Sequence, residues 1–513
     1  VTKSNAAPAN ELSRREFLNV FAAGAAAAVG TVSLSGLSGI ASAHGGALRF
    51  AWLTPATLDP RSASGDSEIA ILNAVYDYLI ETDAAANLVP RLASSWDVSD
   101  DGLVYTLQLR EDAAWHDGNP VTADDVVWTI NWQIESEGSV SSLLSTVESV
   151  SALGETAIEI SLSAPNPDFL YNLTDNKLVI LKAGAENIGV EFNGSGPFVF
   201  EEMIAGDRAI LRANADYWGG APSIDRLEFI YFSDQQAGIA ALQGGSVDGI
   251  ARLDNSSFLG FSGDVNFNTT DIATSGHHLA RLRADREPGS DVRVRQAFKL
   301  ATDRDAIWER VQHGFGAVGK DSPIAPAFGQ YFLADAEVPA RDPPAAAALL
   351  AEAGYPDGLD MTLHLPNSGN FPDLAQTLAA QWEEAGIRVE VRLEEENVYW
   401  NELWMDVDLG ITGWGPRPVP QLYLDFAYHS EGVWNESHYS NPRVDELIEI
   451  GRSSLDQAKR TAAYKEIQQI LLDEGPIIVP YFFAAFMVLA GNISGLNLHP
   501  FAGRTNFNTA EVG

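Results

Sequence analysis

The chain has 513 residues, 46% of them hydrophobic and 20% charged, with 70 acidic against 32 basic side chains and a formal net charge of -38. So acidic a surface repels nucleic acid and anionic lipid. The absence of cysteine excludes disulfides, thiol catalysis, cysteine-ligated zinc and a lipid anchor on an N-terminal cysteine.

In chain order, the first feature is a polar head with the pair Arg14-Arg15, followed by an Ala/Gly-rich apolar run that ends at Ala41-Ser42-Ala43. This is the layout of an export signal. The segment Ser13-Arg14-Arg15-Glu16-Phe17-Leu18 resembles the twin-arginine signal read by machinery that carries folded proteins. The alternative is an uncleaved anchor, since the run from Val20 to Ile40 could just reach across a bilayer. Small residues and the A-x-A site favour cleavage, so residues 1–43 are expected to be removed, leaving a soluble periplasmic protein of net charge -39 that begins near His44.

A length of about 470 residues after cleavage predicts more than one hydrophobic core. "GGALRFAWL" reads as an opening strand, and "SEIAILNAVYDYLIET" carries helical spacing from Ile69 to Ile80. Alternation at 104–109 after the Asp101-Gly102 turn predicts a hairpin. A helix is expected from Thr122, where Asp124-Asp125 is explained by capping better than by catalysis. Strands then prevail from Ala157 to Tyr231, before a helix stopped by Gly244-Gly245. Beyond "HHLARLRAD" the texture becomes helix-rich, and the stretch from Asp360 to Trp414 reads as strand, helix, strand, strand, a crossover that lays down parallel strands. Two amphipathic helices, 443–451 and 456–473, precede the apolar strand "PIIVPYFFAAFMVLA".

At "LASSWDVSDDGLVYTLQLREDAAWHDGNPVTADDVVWT" the chain resembles the extracytoplasmic solute-binding proteins of the dipeptide, oligopeptide and nickel ABC transporter family, family 5. "GSGPFVFEEM", "ANADYWGGAPSIDRLEFIYF", "AALQGGSVDGI", "VRVRQAFKLATDRDAI", "LLAEAGYPDG", "NPRVDELI" and "PIIVPYFF" resemble family segments in the same order, over essentially all of 46–513. The resemblance implies an α/β, two-lobed periplasmic-binding-protein fold of type II, in the large cluster with an extra subdomain in lobe I. Lobe I would be 44–276 plus 486–513, with the insert at about 91–184, and lobe II 277–485. The chain would cross between lobes near "GHHLARL" and "VPYFF", closing them on a ligand as a hinge. It would serve as a monomer, without catalysis or cofactor, delivering a peptide-like, opine-like, saccharide or metal-chelate ligand to a permease and ATPase.

An exported hydrolase is the rival reading, but the sequence has no G-x-S-x-G, no H-E-x-x-H, no phosphate loop and no spaced metal ligands. Neighbours on a strand face opposite ways, so His277 and His278 do not share one metal; His278 is a cleft candidate, or else a hydrogen-bonded core histidine. The resemblance makes "TPATLDPRSASGDSE" border the ligand, with Ser64, Asp66 and Ser67 as polar contacts, although capping also explains the last two. Trp52, Tyr399 and Trp434 are aromatic candidates, or core; Asn435 and His438 fall at the expected binding edge of the second lobe. Peptide binders of the family follow a Gly-Trp strand end with an aspartate for the peptide amine. Here Gly413-Trp414 leads instead to Arg417, flanked by Pro416 and Pro418, and the first carboxylate is Asp425. Arg417 is therefore expected to meet an acceptor on the ligand, or else to bridge to Asp425 or a neighbouring lobe, or to be an idle surface arginine.

Overall fold

The computed structural model describes residues 46–513 apart from 85, 137 and 138. The export signal and its cleavage site lie outside the described residues.

One large twisted sheet runs through the molecule. Its principal strands are β1 (Ala47–Leu53), β2 (Phe198–Ile204), β3 (Arg208–Ala213), β4 (Arg226–Phe232), β5 (Gly249–Ala251), β6 (Phe267–Leu282), β7 (Leu359–Pro366), β8 (Ile387–Glu394), β9 (Leu409–Trp414) and β10 (Ile477–Ala490). They lie in the order β8-β7-β9-β6-β10-β5-β1-β4-β3-β2. β1 is parallel to β4 and β5, and β7 is parallel to β8 and β9. The two parallel sets are joined through the antiparallel pair β6 and β10, of 16 and 14 residues.

Each half has its own core. Phe50, Leu72, Leu211 and Phe229 belong to the first, and Phe298, Leu363, Leu378 and Trp382 to the second. A four-stranded antiparallel unit, built from Ala93–Val98, Val104–Leu109, Val147–Ala152 and Ala157–Leu162, packs a third cluster around Leu107, Trp115 and Ile160.

The helices that matter for the site are α1 (Asp66–Val75), α2 (Ala123–Ile134), α3 (Gln235–Gln243), α4 (Phe371–Glu383), α5 (Pro442–Ser453) and α6 (Gln457–Glu474). The Thr122/Asp125 capping box starts α2, which assigns Asp125 to the fold rather than to chemistry. Gly386, at φ 80°, makes the left-handed turn after α4 that carries the chain into β8. Among the described residues no helix is long and apolar enough to cross a membrane.

The helical spacing through Ile80 overshoots, because α1 stops at Val75 and Ile80–Thr82 is a strand. The Val75 carbonyl accepts from Gly196 N at 2.9 Å. Asp77 then turns inward, where Arg91 and Tyr217 reach its Oδ1 at 2.7 and 3.0 Å and Trp218 its Oδ2 at 2.9 Å. With Ser195 Oγ also 3.3 Å from Oδ2, a buried carboxylate with four donors outweighs continued helix.

Candidate functional site

The parallel strands in each half of the sheet end on loops and helix N-termini, the usual place for a ligand in open α/β sheets. In the first half these are the ends of β1, β4 and β5 and the starts of α1 and α3. They surround a cavity of about 310 Å³ lined by Trp52, Thr54, Asp66, Ser67, Gln235 and Arg252 among others.

Glu68 shapes this wall. Its Oε1 accepts from the backbone N–H of Ala56 and Thr57 at 2.7 and 3.2 Å, and its Oε2 from Ser64 and Gly65 at 2.7 and 2.8 Å. One buried carboxylate therefore folds the whole 54–65 loop over the start of α1. Trp52 and Ser67 are buried in the wall. Asp66 is ion-paired with Arg252 and accepts from Gly503 N at 3.2 Å. Ser64 is exposed beside the lining.

In the second half the wall is the end of β9, the loop after it, the start of α4, and His278 and Phe483 on the two long strands. The His278 ring lies 4.5 Å from Phe371 and 5.3 Å from Phe483, and Nδ1 is 2.9 Å from Tyr481 Oη. Burial, and then the neighbouring His277, push His278 down to about 3. The side chain is neutral at physiological pH. Gly413 permits this packing, since a Cβ there would come 2.9 Å from His278 Cδ2 and 3.0 Å from Phe371.

Arg417 sits in a loop fastened to β6. Its backbone N donates to Ser275 Oγ at 2.9 Å, and the same hydroxyl donates back to the Arg417 carbonyl at 2.9 Å. Tyr423 Oη lies 2.8 Å from the Gly415 carbonyl and 3.0 Å from that of Ser275. With Pro416 and Pro418 fixing φ, the loop is rigid. Among the described residues the guanidinium makes no hydrogen bond or ion pair. The bridge to Asp425 does not form, because Asp425 accepts from Arg452 at 2.9 Å and from Gln421 at 2.6 Å. Arg417 instead borders a small gap of about 30 Å³, shared with Thr82 and Phe501 from the first half and Ala327 and Phe328 from the second.

Behind this wall stands an aromatic group organised by Glu436, which is 3% exposed. Its carboxylate accepts from Trp404 Nε1 at 2.8 Å, Thr412 Oγ1 at 2.5 Å and Trp414 Nε1 at 3.1 Å, with Arg281 Nε at 3.4 Å. Trp434, 38% exposed, tilts against Trp404, Trp414 and Phe426.

A model of the bacterial extracellular solute-binding proteins, family 5 (middle), matches residues 87–435. The chain belongs to this family. Family 5 relatives include the oligopeptide-binding protein AppA of Bacillus subtilis, 28% identical over 87% of this chain and 88% of that one. Heme-binding protein A of Haemophilus influenzae is 27% identical over 85% and 87%. Among solved structures, the substrate-binding protein CtaP of Listeria monocytogenes superposes with a TM-score of 0.83 at 25% identity, covering 91% of this chain and 99% of that one. NikZ of Campylobacter jejuni, in complex with Ni(L-His), gives 0.76 at 25% identity, with 91% and 99% covered. The fold is thus the two-lobed one of these binding proteins.

Within this family 5 frame the sequence candidates separate into two groups. Trp52, Asp66 and Ser67 come together on the first wall, and His278, Gly413 and Arg417 around the end of β9 on the second, while Trp414 points to the opposite face of the sheet, into the group around Glu436. Tyr399, Asn435 and His438 join neither wall. Tyr399 is fully buried and donates to the Ile411 carbonyl at 2.8 Å. Asn435 closes a turn, donating to the Tyr439 carbonyl at 2.8 Å and accepting from Tyr439 N at 3.1 Å. His438, at φ 47°, contacts the Met405 carbonyl at 3.0 Å. Sequence reading missed Glu68, Ser275 and Glu436, which hold the candidates in place. A Glu three residues after Gly65 at a helix start was a capping signal available for the first. No comparable signal marked the other two.

Proposed function

We propose that this chain captures a small organic solute for an ABC importer, by closing lobe I (44–276 plus 486–513) and lobe II (277–485) about a hinge in β6 and β10. The pairing of these strands shifts register between Ala273 and His277, where the regular ladder is weakest and a rotation strains it least. The insert at about 91–184 moves with lobe I. The protein works as an exported monomer, read by the twin-arginine route and released near Ala43, and hands its solute to a membrane permease coupled to an ATPase. Neither a catalytic group nor a cofactor enters this scheme. The hydrolase reading finds no support among the relatives, which are binding proteins.

Relatives named for oligopeptides, dipeptides and heme share the frame, so the solute is chosen by the cleft's own side chains. The observation that carries the choice here is Arg417: an unpaired planar cation on a rigid loop, inside a strongly acidic protein. It suits a carboxylate, phosphate or comparable acceptor bidentately, and its proline-fixed loop lowers the ordering cost of binding. The solute is peptide-like or a related small organic molecule bearing such a group. His278, Phe371 and Phe483 supply an apolar wall, and Trp52, Asp66 and Ser67 the facing side.

Native mass spectrometry of protein purified from its own periplasm tests this. We expect one carried-over species, released on denaturation, that retains a carboxylate or phosphate in fragmentation. A carried-over species that is purely cationic contradicts the assignment of Arg417.

A further inference from the structure

The four-stranded insert and lobe II meet through a second charge cluster that the ligand walls do not use. Asp168, just before the short helix Phe169–Asn172 of the insert, faces Arg460 in the first turn of α6. Arg460 Nη2 is 2.5 Å from Asp168 Oδ2, across 292 positions of sequence, and both side chains are 7% exposed.

The partners are unequal. Arg460 also donates to the Gly451 carbonyl at 3.0 Å, and to Tyr331 Oη and Tyr464 Oη, each at 3.2 Å, all within lobe II. The Asp168 carboxylate does not cap the helix it precedes, and among the described residues Arg460 is its hydrogen-bond donor. Burial raises its pKa, with Arg460 opposing. Without Arg460 it would be a buried carboxylate with no donor. Beside the pair, Leu455 of lobe II packs on the Asp101-Gly102 turn of the insert, within 2.8 Å of where a Gly102 Cβ would stand.

The cluster is mechanically continuous with the cleft. The segment Pro326–Tyr331 carries Ala327 and Phe328 on the gap at Arg417, and Tyr331 at Arg460. With the insert moving with lobe I, as proposed above, lobes that separate at Arg417 also separate Asp168 from Arg460.

We propose that Asp168 and Arg460 form an interlobe latch that holds the cleft closed, so that admitting or releasing solute requires this buried ion pair to break. The latch rests on lobe closure but not on the nature of the solute. Opening hydrates both charges, so the intact pair holds the lobes only modestly. Deleting one partner leaves the other desolvated in the closed state alone, which drives the lobes apart.

The chain has no cysteine, so Glu155→Cys in the insert and Asp335→Cys in lobe II, both exposed, take a fluorophore pair for single-molecule energy transfer on ligand-free protein. We expect Arg460→Met to lower the closed-to-open ratio at least tenfold. Asp168→Asn should lower it less, because Arg460 keeps its three acceptors in lobe II. The double variant Asp168→Leu/Arg460→Met, which replaces the pair by apolar contact, should recover the ratio to within a few-fold of the wild type. A ratio unmoved by either single variant overturns the latch. So does a double variant that stays as open as Arg460→Met, since the effect would then belong to contacts Arg460 makes inside lobe II. Asp168→Asn keeps the test informative if Arg460→Met fails to fold.

Discussion

Glu436 is the carboxylate on which the lobe II wall depends. Two indole N–H groups, a hydroxyl and the fully buried Arg281 converge on it, so it fixes the plane of Trp414 behind the wall. Glu436→Ala would strand Arg281 as an unpaired buried charge, and we expect it to destabilise the fold by about 3–5 kcal/mol in urea titration. Glu436→Gln keeps two acceptor lone pairs and a donor, so it should cost less than half of that. Equal losses in the two variants would show that uncharged acceptors recover nothing and that the charge of Glu436 carries the whole effect. Neither Glu436 nor its role was legible in "WNESHYS", where a glutamate among polar residues reads as a solvated surface group. Its partners lie 24 and 32 positions away on other elements, and sequence spacing says nothing of such meetings. Arg417 was legible for the opposite reason: a cation between two prolines with no local partner is anomalous in the sequence itself.

At the scale of elements, the long paired strands β6 and β10 join the two parallel sets of the sheet, and two histidines of β6 are buried there. His277 is fully buried with Nδ1 3.1 Å from the Ser275 carbonyl, and burial lowers its pKa from 6.5 to about 4; His278 is lowered from 6.5 to about 3. Both are neutral in the fold but take up protons in the unfolded chain below about pH 6.5. The unfolded state therefore binds more protons between about pH 6.5 and 4, and stability falls as pH falls through that window. Each residue contributes at most about 1.4 kcal/mol per pH unit. Denaturant titrations at pH 7 and 5 should show a smaller loss for His277→Phe than for the wild type. An identical pH slope in that variant would show that His277 does not titrate as its burial implies. The strands themselves were plain in the sequence, because their apolar runs are long and their turns carry Gly and Asp. The end of α1 was not, since it is set by Gly196 and by the donors to Asp77, up to 141 positions away. The βαβ order of 360–414 was legible from its period and from Gly386; the pairing of β6 with β10, some 200 positions on, was not read, and the family resemblance marked those segments only as crossings.

The whole molecule is a strongly anionic body in which, among the described residues, the Arg417 guanidinium is left without a hydrogen bond or ion pair. Self-repulsion among so many carboxylates weakens the compact state. Raising sodium chloride from 0.1 to 1 M shortens the screening length from ~10 to ~3 Å, so the melting temperature should rise between these concentrations; a flat or falling value would show that the acidic surface is already neutralised by its own arginines. The same field makes Arg417 more informative. A protein of net charge -38 repels anions at long range, and on the proposed reading a local cation free of protein partners offsets that repulsion where the solute binds.

The most direct test is isothermal titration calorimetry of the solute recovered from the native protein into wild type and Arg417→Ala, alongside the melting temperatures of the two empty proteins. The account predicts a loss of about 2–5 kcal/mol in binding free energy, from leaving the solute's acceptor unpaired in a closed cleft, with the empty proteins melting nearly together. Unchanged affinity, or a large fall in the melting temperature of empty Arg417→Ala, would contradict it.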